Sequence, residues 1–371
     1  MQRFTVILGL ALLAVTSAQA QRGSWQSEIG IQGGFSRFKP AGTGAKDQSD
    51  LFDLPGFSSG GYGALFAIIP WKDKIAIEPT LSAAEFSIGG LLGATGSVVS
   101  LGVRGDYALT PKIYAAVGGT LGYLEALGQH ESQLGVQAAL GYRLHLAGSL
   151  NGRVEANWQS TKNSNRIAPA NVYSLLFGVS TRVSGSGVTR TTRSPGAWDR
   201  VIGVQGGYSH VHGVGAAGFD MTLLSFPGWG GGLTTSLPGL SVAPTIFAIF
   251  PAGQKLAVEP GIDLHRSQSQ GVTAFTANVS ARLDYAVSGG WYAAAGGNLV
   301  YTKATPGFFA DPATSSVSVP GVNVAWGYRF HMAGAFGGRV EANYVMLKQS
   351  NDLGLATNTF GLMFGATMPL R

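Results

Sequence analysis

Along much of this chain, apolar and polar residues change places at every second position. In the run from Val99 to Tyr107, the side chains of Val99, Leu101, Val103 and Tyr107 share one face, and those of Ser100, Gly102, Arg104 and Asp106 share the other. From Leu134 to His145, one face carries Gln137, Gly141, Arg143 and His145, against Leu134, Val136, Leu140, Tyr142 and Leu144. From Leu150 to Trp158, Arg153, Glu155 and Asn157 oppose Leu150, Val154 and Trp158. A period of two over about ten residues predicts a half-exposed strand, and no comparable stretch follows a helical period. The pattern predicts strands near 25–38, 59–69, 74–87, 96–108, 112–125, 133–145, 149–161 and 171–183. A second series follows near 198–211, 240–250, 254–267, 272–286, 290–303, 318–331, 335–348 and 358–370.

The two series are two copies of one unit. Ile29-Gly30-Ile31-Gln32-Gly33-Gly34-Phe35-Ser36 returns as Ile202-Gly203-Val204-Gln205-Gly206-Gly207-Tyr208-Ser209. Ile75-Ala76-Ile77-Glu78-Pro79 returns as Leu256-Ala257-Val258-Glu259-Pro260. GYRLHLAGSLNGRVEANW, from Gly141, matches GYRFHMAGAFGGRVEANY, from Gly327, at 12 of 18 positions. Each unit exceeds any solenoid or propeller repeat, so it is a whole domain or half of one large barrel. The polar segment between the copies, 184–195, reads as a linker. Short turns such as Thr110-Pro111 and Ser288-Gly289 alternate with longer loops such as Lys39 to Ser58 and His212 to Gly239.

Composition narrows the class. Of 371 residues 56 are Gly and none is Cys, so neither a disulfide framework nor a thiolate metal site is available. Charged residues are 12%, about half of what is usual for a soluble domain. Mean hydropathy is only +0.18, and the net charge of +6 is not clustered as a nucleic-acid patch. Residues 1–20 read as a signal peptide: Arg3, an apolar run from Phe4 to Val15, and the small-x-small site Ala18-Gln19-Ala20. No later window is long and apolar enough for a spanning helix. An exported chain of this kind fits a closed barrel of strands, the non-helical way to satisfy every backbone group in lipid.

On this architecture each copy resembles the small eight-stranded bacterial outer-membrane barrels of the OmpA and OmpX type. The resemblance implies an all-β, antiparallel, up-and-down transmembrane barrel with short periplasmic turns and long outer loops. It implies outer-membrane lipid, lipopolysaccharide included, and the barrel-assembly machinery as partners, no nucleic acid and no cofactor. The organisation expected is a signal peptide at 1–20, one repeat at 21–183, a linker at 184–195 and a second repeat at 196–371. Two tandem eight-stranded barrels are preferred over one sixteen-stranded barrel, because each copy carries its own balanced charges and many small residues. In that class the last strand usually ends in an aromatic residue; this chain offers Phe360 and Phe364 but ends in Arg371.

Those charges are Glu78, Arg104, Asp106, Arg143, Arg153 and Glu155, repeated as Glu259, Arg282, Asp284, Arg329, Arg339 and Glu341, with His145 and His331 beside them. All fall on the strand face opposite the apolar side chains and near the short turns. They are expected to form an ion-pair network in the lumen, with small residues such as Gly102, Gly118, Gly141 and Gly178 making room. Pore lining and catalysis are the competing readings.

Other signals are weaker. Gly56-Phe57-Ser58-Ser59-Gly60 has the spacing of a nucleophile elbow without its helix. The run Gly213 to Gly218 has the spacing of a dinucleotide loop without its βαβ unit. His210 and His212 share a face and could hold a metal with Asp220 or His265. Arg37, Lys39, Lys162, Arg166, Arg266, Lys303 and Lys348 fall near the outer rim, where lipid phosphates sit, among acids such as Glu85, Glu125 and Asp263. Pro55-Gly56-Phe57 and Pro227-Gly228-Trp229 mark turns in the first long loops. The function expected is a structural or surface-interaction role and not an enzyme. The alternative is a passive porin for small polar solutes through a single sixteen-stranded barrel, ahead of a lipid-modifying barrel enzyme, for which no specific signature is present.

Overall fold

The computed structural model describes residues 25–40, 49–54, 65–88, 94–126, 129–147, 150–162, 169–182, 198–214, 220–226, 246–269, 272–305, 315–333, 336–348 and 356–370. The signal peptide, the 184–195 linker, the 56–60 run, most of the 213–218 run, both Pro-Gly-aromatic tripeptides, Arg166 and Arg371 lie outside the described residues.

All elements among the described residues are strands. The first repeat contains β1 (Glu28–Pro40), β2 (Ser49–Leu54), β3 (Leu65–Lys72), β4 (Ile75–Ile88), β5 (Ala94–Ala108), β6 (Ile113–Ala126), β7 (Gln129–Ala147), β8 (Leu150–Thr161) and β9 (Ala170–Arg182). The second contains β10 (Val201–Val214), β11 (Asp220–Phe226), β12 (Ile246–Pro251), β13 (Leu256–Ser269), β14 (Val272–Ser288), β15 (Trp291–Thr305), β16 (Ser315–Ala333), β17 (Phe336–Leu347) and β18 (Ala356–Pro369). Every ladder is antiparallel, as short hairpin connections require. Gly289 has φ +58°, the left-handed backbone that a tight hairpin turn needs and glycine supplies.

At the end with the short turns, each repeat closes on itself as an eight-stranded barrel. β1 pairs with β9 along its length and with β3 at Glu28–Ile31. β10 likewise pairs with β18 and, at Val201–Val204, with β12. The loop end differs from the expectation. There β2 and β11, short strands inside what read as the first long loops, take over from β3 and β12. β2 pairs with its own β1 but also with β13 of the other repeat. β11 pairs with its own β10 and with β4 of the first repeat. The exchange is reciprocal and in equivalent register: Leu54 lies opposite Leu264, and Phe226 opposite Ala83. The two small barrels therefore share one wall of sixteen strands at the loop end and separate below it. SDLFDL and DMTLLSF do not alternate, so periodicity could not mark them.

Alternation sorts the faces as the sequence implies. On β5 and β6 the outward Val103 and Val117 are 58% and 71% exposed, while the inward Arg104 and Asp106 are 3% and 0%. Exposed apolar side chains cover the outer wall, and aromatic residues mark its two edges. Tyr107, Tyr142, Tyr285, Trp291 and Tyr328 lie toward the turns. Trp158 and Tyr173 pair across β8 and β9 toward the loops, as do Tyr344 and Phe360 across β17 and β18. Where the two barrels adjoin, outward residues are covered instead: Leu150 and Met368 are buried, and the partly buried Ile29, Val179, Ile202 and Leu370 pack against them.

Candidate functional site

The inward charges of the first barrel meet at its turn end. β5 supplies Arg104 and Asp106, β4 Glu78, and β8 Arg153 and Glu155. Arg104 grips Glu155 with both terminal nitrogens, at 2.7 and 2.6 Å. It also lies 2.9 Å from Glu78 and, through Nε, 3.0 Å from Asp106. Arg153 donates to Glu78 at 2.5 Å and to Gln32 of β1. Its guanidinium lies 3.5 Å above the centre of the Phe66 ring. Tyr114 of β6 donates its hydroxyl to Glu155 at 2.7 Å.

The second barrel reproduces this arrangement. Arg282 contacts Glu341 at 2.9 and 2.5 Å, Glu259 at 2.9 Å and Asp284 at 3.1 Å. Arg339 donates to Glu259 at 2.5 Å and to Gln205, and lies 3.4 Å above the Phe247 ring. Tyr292 donates to Glu341 at 2.7 Å. Bidentate and stacked geometry of this kind suits Arg and not Lys. A buried cluster with three carboxylates and two guanidiniums tolerates its desolvation only because each charge faces an opposite one.

Arg143 and Arg329, expected in the same network, stand apart from the ion pairs just described. Each caps a tryptophan: Arg143 lies 4.1 Å from the Trp25 ring centre, and Arg329 3.6 Å from that of Trp198. Arg143 also donates to the carbonyl of Pro111 at 2.8 Å. Trp25 and Trp198, just ahead of β1 and β10, fold into the barrel mouths. Their ring nitrogens donate to the carbonyls of Lys74 and Lys255, at 3.0 and 2.9 Å. They meet Tyr114 and Tyr292 edge to face, at 5.5 and 5.7 Å. His145 and His331 are exposed at the mouths.

Several residues of this centre had only their repetition to mark them: Trp25, Gln32, Phe66 and Tyr114, with Trp198, Gln205, Phe247 and Tyr292. Glu28 is a third kind. It accepts hydrogen bonds from Asn151 at 2.9 Å and Ser180 at 2.5 Å, and Val201 stands at its place in the second copy. The glycines divide. Gly118 and Gly178 make room for Arg104 and Arg153, as expected, whereas Gly141 lies under the Tyr114 ring and Gly102 against Thr80.

Above the cluster the copies diverge. Gln159 donates to Thr120 at 2.8 Å in the first. In the second, Asn323 donates to Asn298, and Val300, Val319, Val345 and Leu347 pack above them. The space left among Gln205, Glu259, Arg282 and Asn343 is a cavity of about 10 Å³, on the order of one water molecule.

Two expectations at the rim are corrected. Asp263 and His265 are inward and buried on β13, so Asp263 is not a rim acid and His265 cannot join His210 and His212. The latter two are outward on β10, and Asp220 accepts from or faces them at 2.8 Å (His212) and 3.7 Å (His210). Among the described residues no group of three or more such side chains is arranged to hold a metal.

No known protein family and no curated protein matches the chain. Solved structures similar to it include the CymD monoaromatic hydrocarbon channel, at 9% identity and TM-score 0.29 over 96% of this chain and 90% of that one. A Pseudomonas aeruginosa FadL homologue matches at 11% and 0.28, over 93% and 91%. The β domain of the Bordetella autotransporter BrkA matches at 11% and 0.27, over 80% and 100%. The likeness is loose, one of general build.

Proposed function

We propose that this chain is an outer-membrane protein whose twin barrels are closed to solute and act as a rigid base for the shared loop end, a structural or surface-interaction role. One observation carries the reading. Each barrel is crossed at its turn end by a buried Arg–carboxylate–Tyr cluster and stoppered below it by a Trp capped with Arg. A passive porin needs a continuous aqueous path. An eight-stranded wall encloses only enough room for side chains, and here that room is taken. The shared sixteen-stranded wall therefore leads down to two closed bases.

Placement in lipid is supported by the outward apolar band, its aromatic edges and the absence of open strand edges in a closed wall. The cluster's carboxylates are already engaged with guanidiniums and shut from solvent, which does not favour chemistry on a bound lipid. Planar-bilayer recording of the purified full chain tests the reading. Insertion with no stable conductance step is expected, and a large stable step overturns it.

A further inference from the structure

The exchange of β2 and β11 makes two seams between the repeats, and their outer rims carry opposite chemistry. At one seam Arg37 of β1 lies opposite Asp50 of β2, with Lys39 two residues further toward the rim. On the other side of β2, Gln268 of β13 lies opposite Asp50, and Arg266 lies opposite Phe52, two residues lower on the wall. Asp50 binds Arg37 at 2.8 and 2.9 Å, which leaves the patch with an excess of two positive charges. The equivalent positions at the other seam are His210, His212 and Glu85, with Asp220 added. The internal repeat thus supplies its own control: same wall, same level, no cationic excess.

Beneath the cationic rim the outer wall is hollowed. A groove of about 720 Å³ runs from Lys39 and Arg37 down into the apolar band, lined by Phe35, Leu140, Ala156, Trp158, Tyr173 and Leu175. Ala138 and Ala156 leave the wall low there; Ala342 keeps the place of Ala156 in the second repeat, but the bulkier Val324 and Trp326 replace Ala138 and Leu140. The Lys39 ammonium lies 5.5 Å from the Tyr173 ring centre, at the level where the groove opens. Cations above and an apolar trough below match one kind of molecule, an amphiphile with a phosphorylated head.

We propose that the Arg37–Lys39–Arg266 seam seats the phosphorylated headgroup of an outer-leaflet lipid whose acyl chain lies in the groove over Ala156. Charge-assisted hydrogen bonds from Arg and Lys to phosphate oxygens hold the head, and the chain fills a hollow that bulk lipid packs poorly. The inference rests on the outward band facing lipid.

The test is native mass spectrometry of the detergent-solubilised full chain, titrated with lipid A. Three proteins are compared: the parent, the triple variant Arg37→Gln/Lys39→Gln/Arg266→Gln, and His210→Gln/His212→Gln. One saturable lipid A is expected on the parent and on the histidine variant, with at least a tenfold weaker affinity in the triple variant. Ala156→Trp, which fills the groove without touching the cations, is expected to weaken binding as well. Millimolar inorganic phosphate should not displace the lipid. Equal lipid binding by the triple variant, equal binding of a lipid with an uncharged head, or displacement by phosphate alone each overturns the proposal. Heat-modifiable migration and insertion into vesicles are read on the same samples. If these fail, the membrane reading falls; if they hold and lipid A is ignored, only the seat does.

Discussion

The ring of Tyr114 lies against Gly141, its partner across the β6–β7 ladder, so closely that a Cβ there would fall 2.1 Å from the ring. From that position the hydroxyl reaches Glu155. Tyr292 and Gly327 repeat the pair. Glycine leaves a strand without a side chain to pack, and here an aromatic neighbour covers the gap and is aimed by it.

Gly141→Ala is therefore expected to destabilise by about 1–3 kcal/mol, because the added methyl overpacks the tyrosine. Gly105→Ala, where nothing lies within 4 Å, is expected to be nearly neutral. Urea unfolding of vesicle-inserted protein checks both. Equal behaviour of the two variants refutes the account.

Arg104 faces three carboxylates at once. Arg104→Ala leaves buried negative charge uncompensated and is expected to cost about 3–5 kcal/mol. Arg282→Ala should cost as much. The combined variant should lose the sum, because the two clusters belong to separate barrels and share no partner. The same unfolding assay reads all three, and a strongly sub-additive double variant counts against separate barrels.

The lipid-facing reading has its own discriminating substitution. Val117 is 71% exposed on the outer wall, between the two aromatic edges. In a water-soluble protein Val117→Arg would be close to neutral. In a bilayer it is expected to cost about 2–4 kcal/mol. Refolding into vesicles, compared with refolding in detergent-free buffer, distinguishes the two.

The strand exchange predicts cross-links in a chain that has no native cysteine. Ser87 on β4 lies opposite Thr222 on β11. Ser87→Cys/Thr222→Cys should oxidise to an intrachain disulfide, since ladder partners lie within bridging distance. Non-reducing electrophoresis shows it as a mobility change absent from either single variant. Without it, β11 does not pair with the first repeat.

What could be read from the chain was what repeats and alternates. Strands such as β5, β7 and β8 follow from period two, and the shared face of Glu78, Arg104, Arg153 and Glu155 follows with them. Inward direction alone, however, could not separate Arg104 from Arg143. Both lie on the polar face, yet one meets carboxylates and the other a tryptophan, a difference of depth: Arg143 sits nearer the turns, where the segment ahead of β1 folds Trp25 into the mouth. Nor could it reveal β2 and β11. Their partners are chosen by pairing across the repeat boundary, and Asp50 beside Arg37 acquires meaning only with Arg266 of the other copy next to it.

The exchanged strands also bear on how the molecule is made. The upper edge of β4 waits for β11, which is synthesised long after it, and such distant pairings form slowly. The first repeat can thus complete its turn end early but must hold its opposite rim unzipped until the second arrives. Whatever inserts this polypeptide has to keep that gap shielded from stray strands, and it must release both halves together.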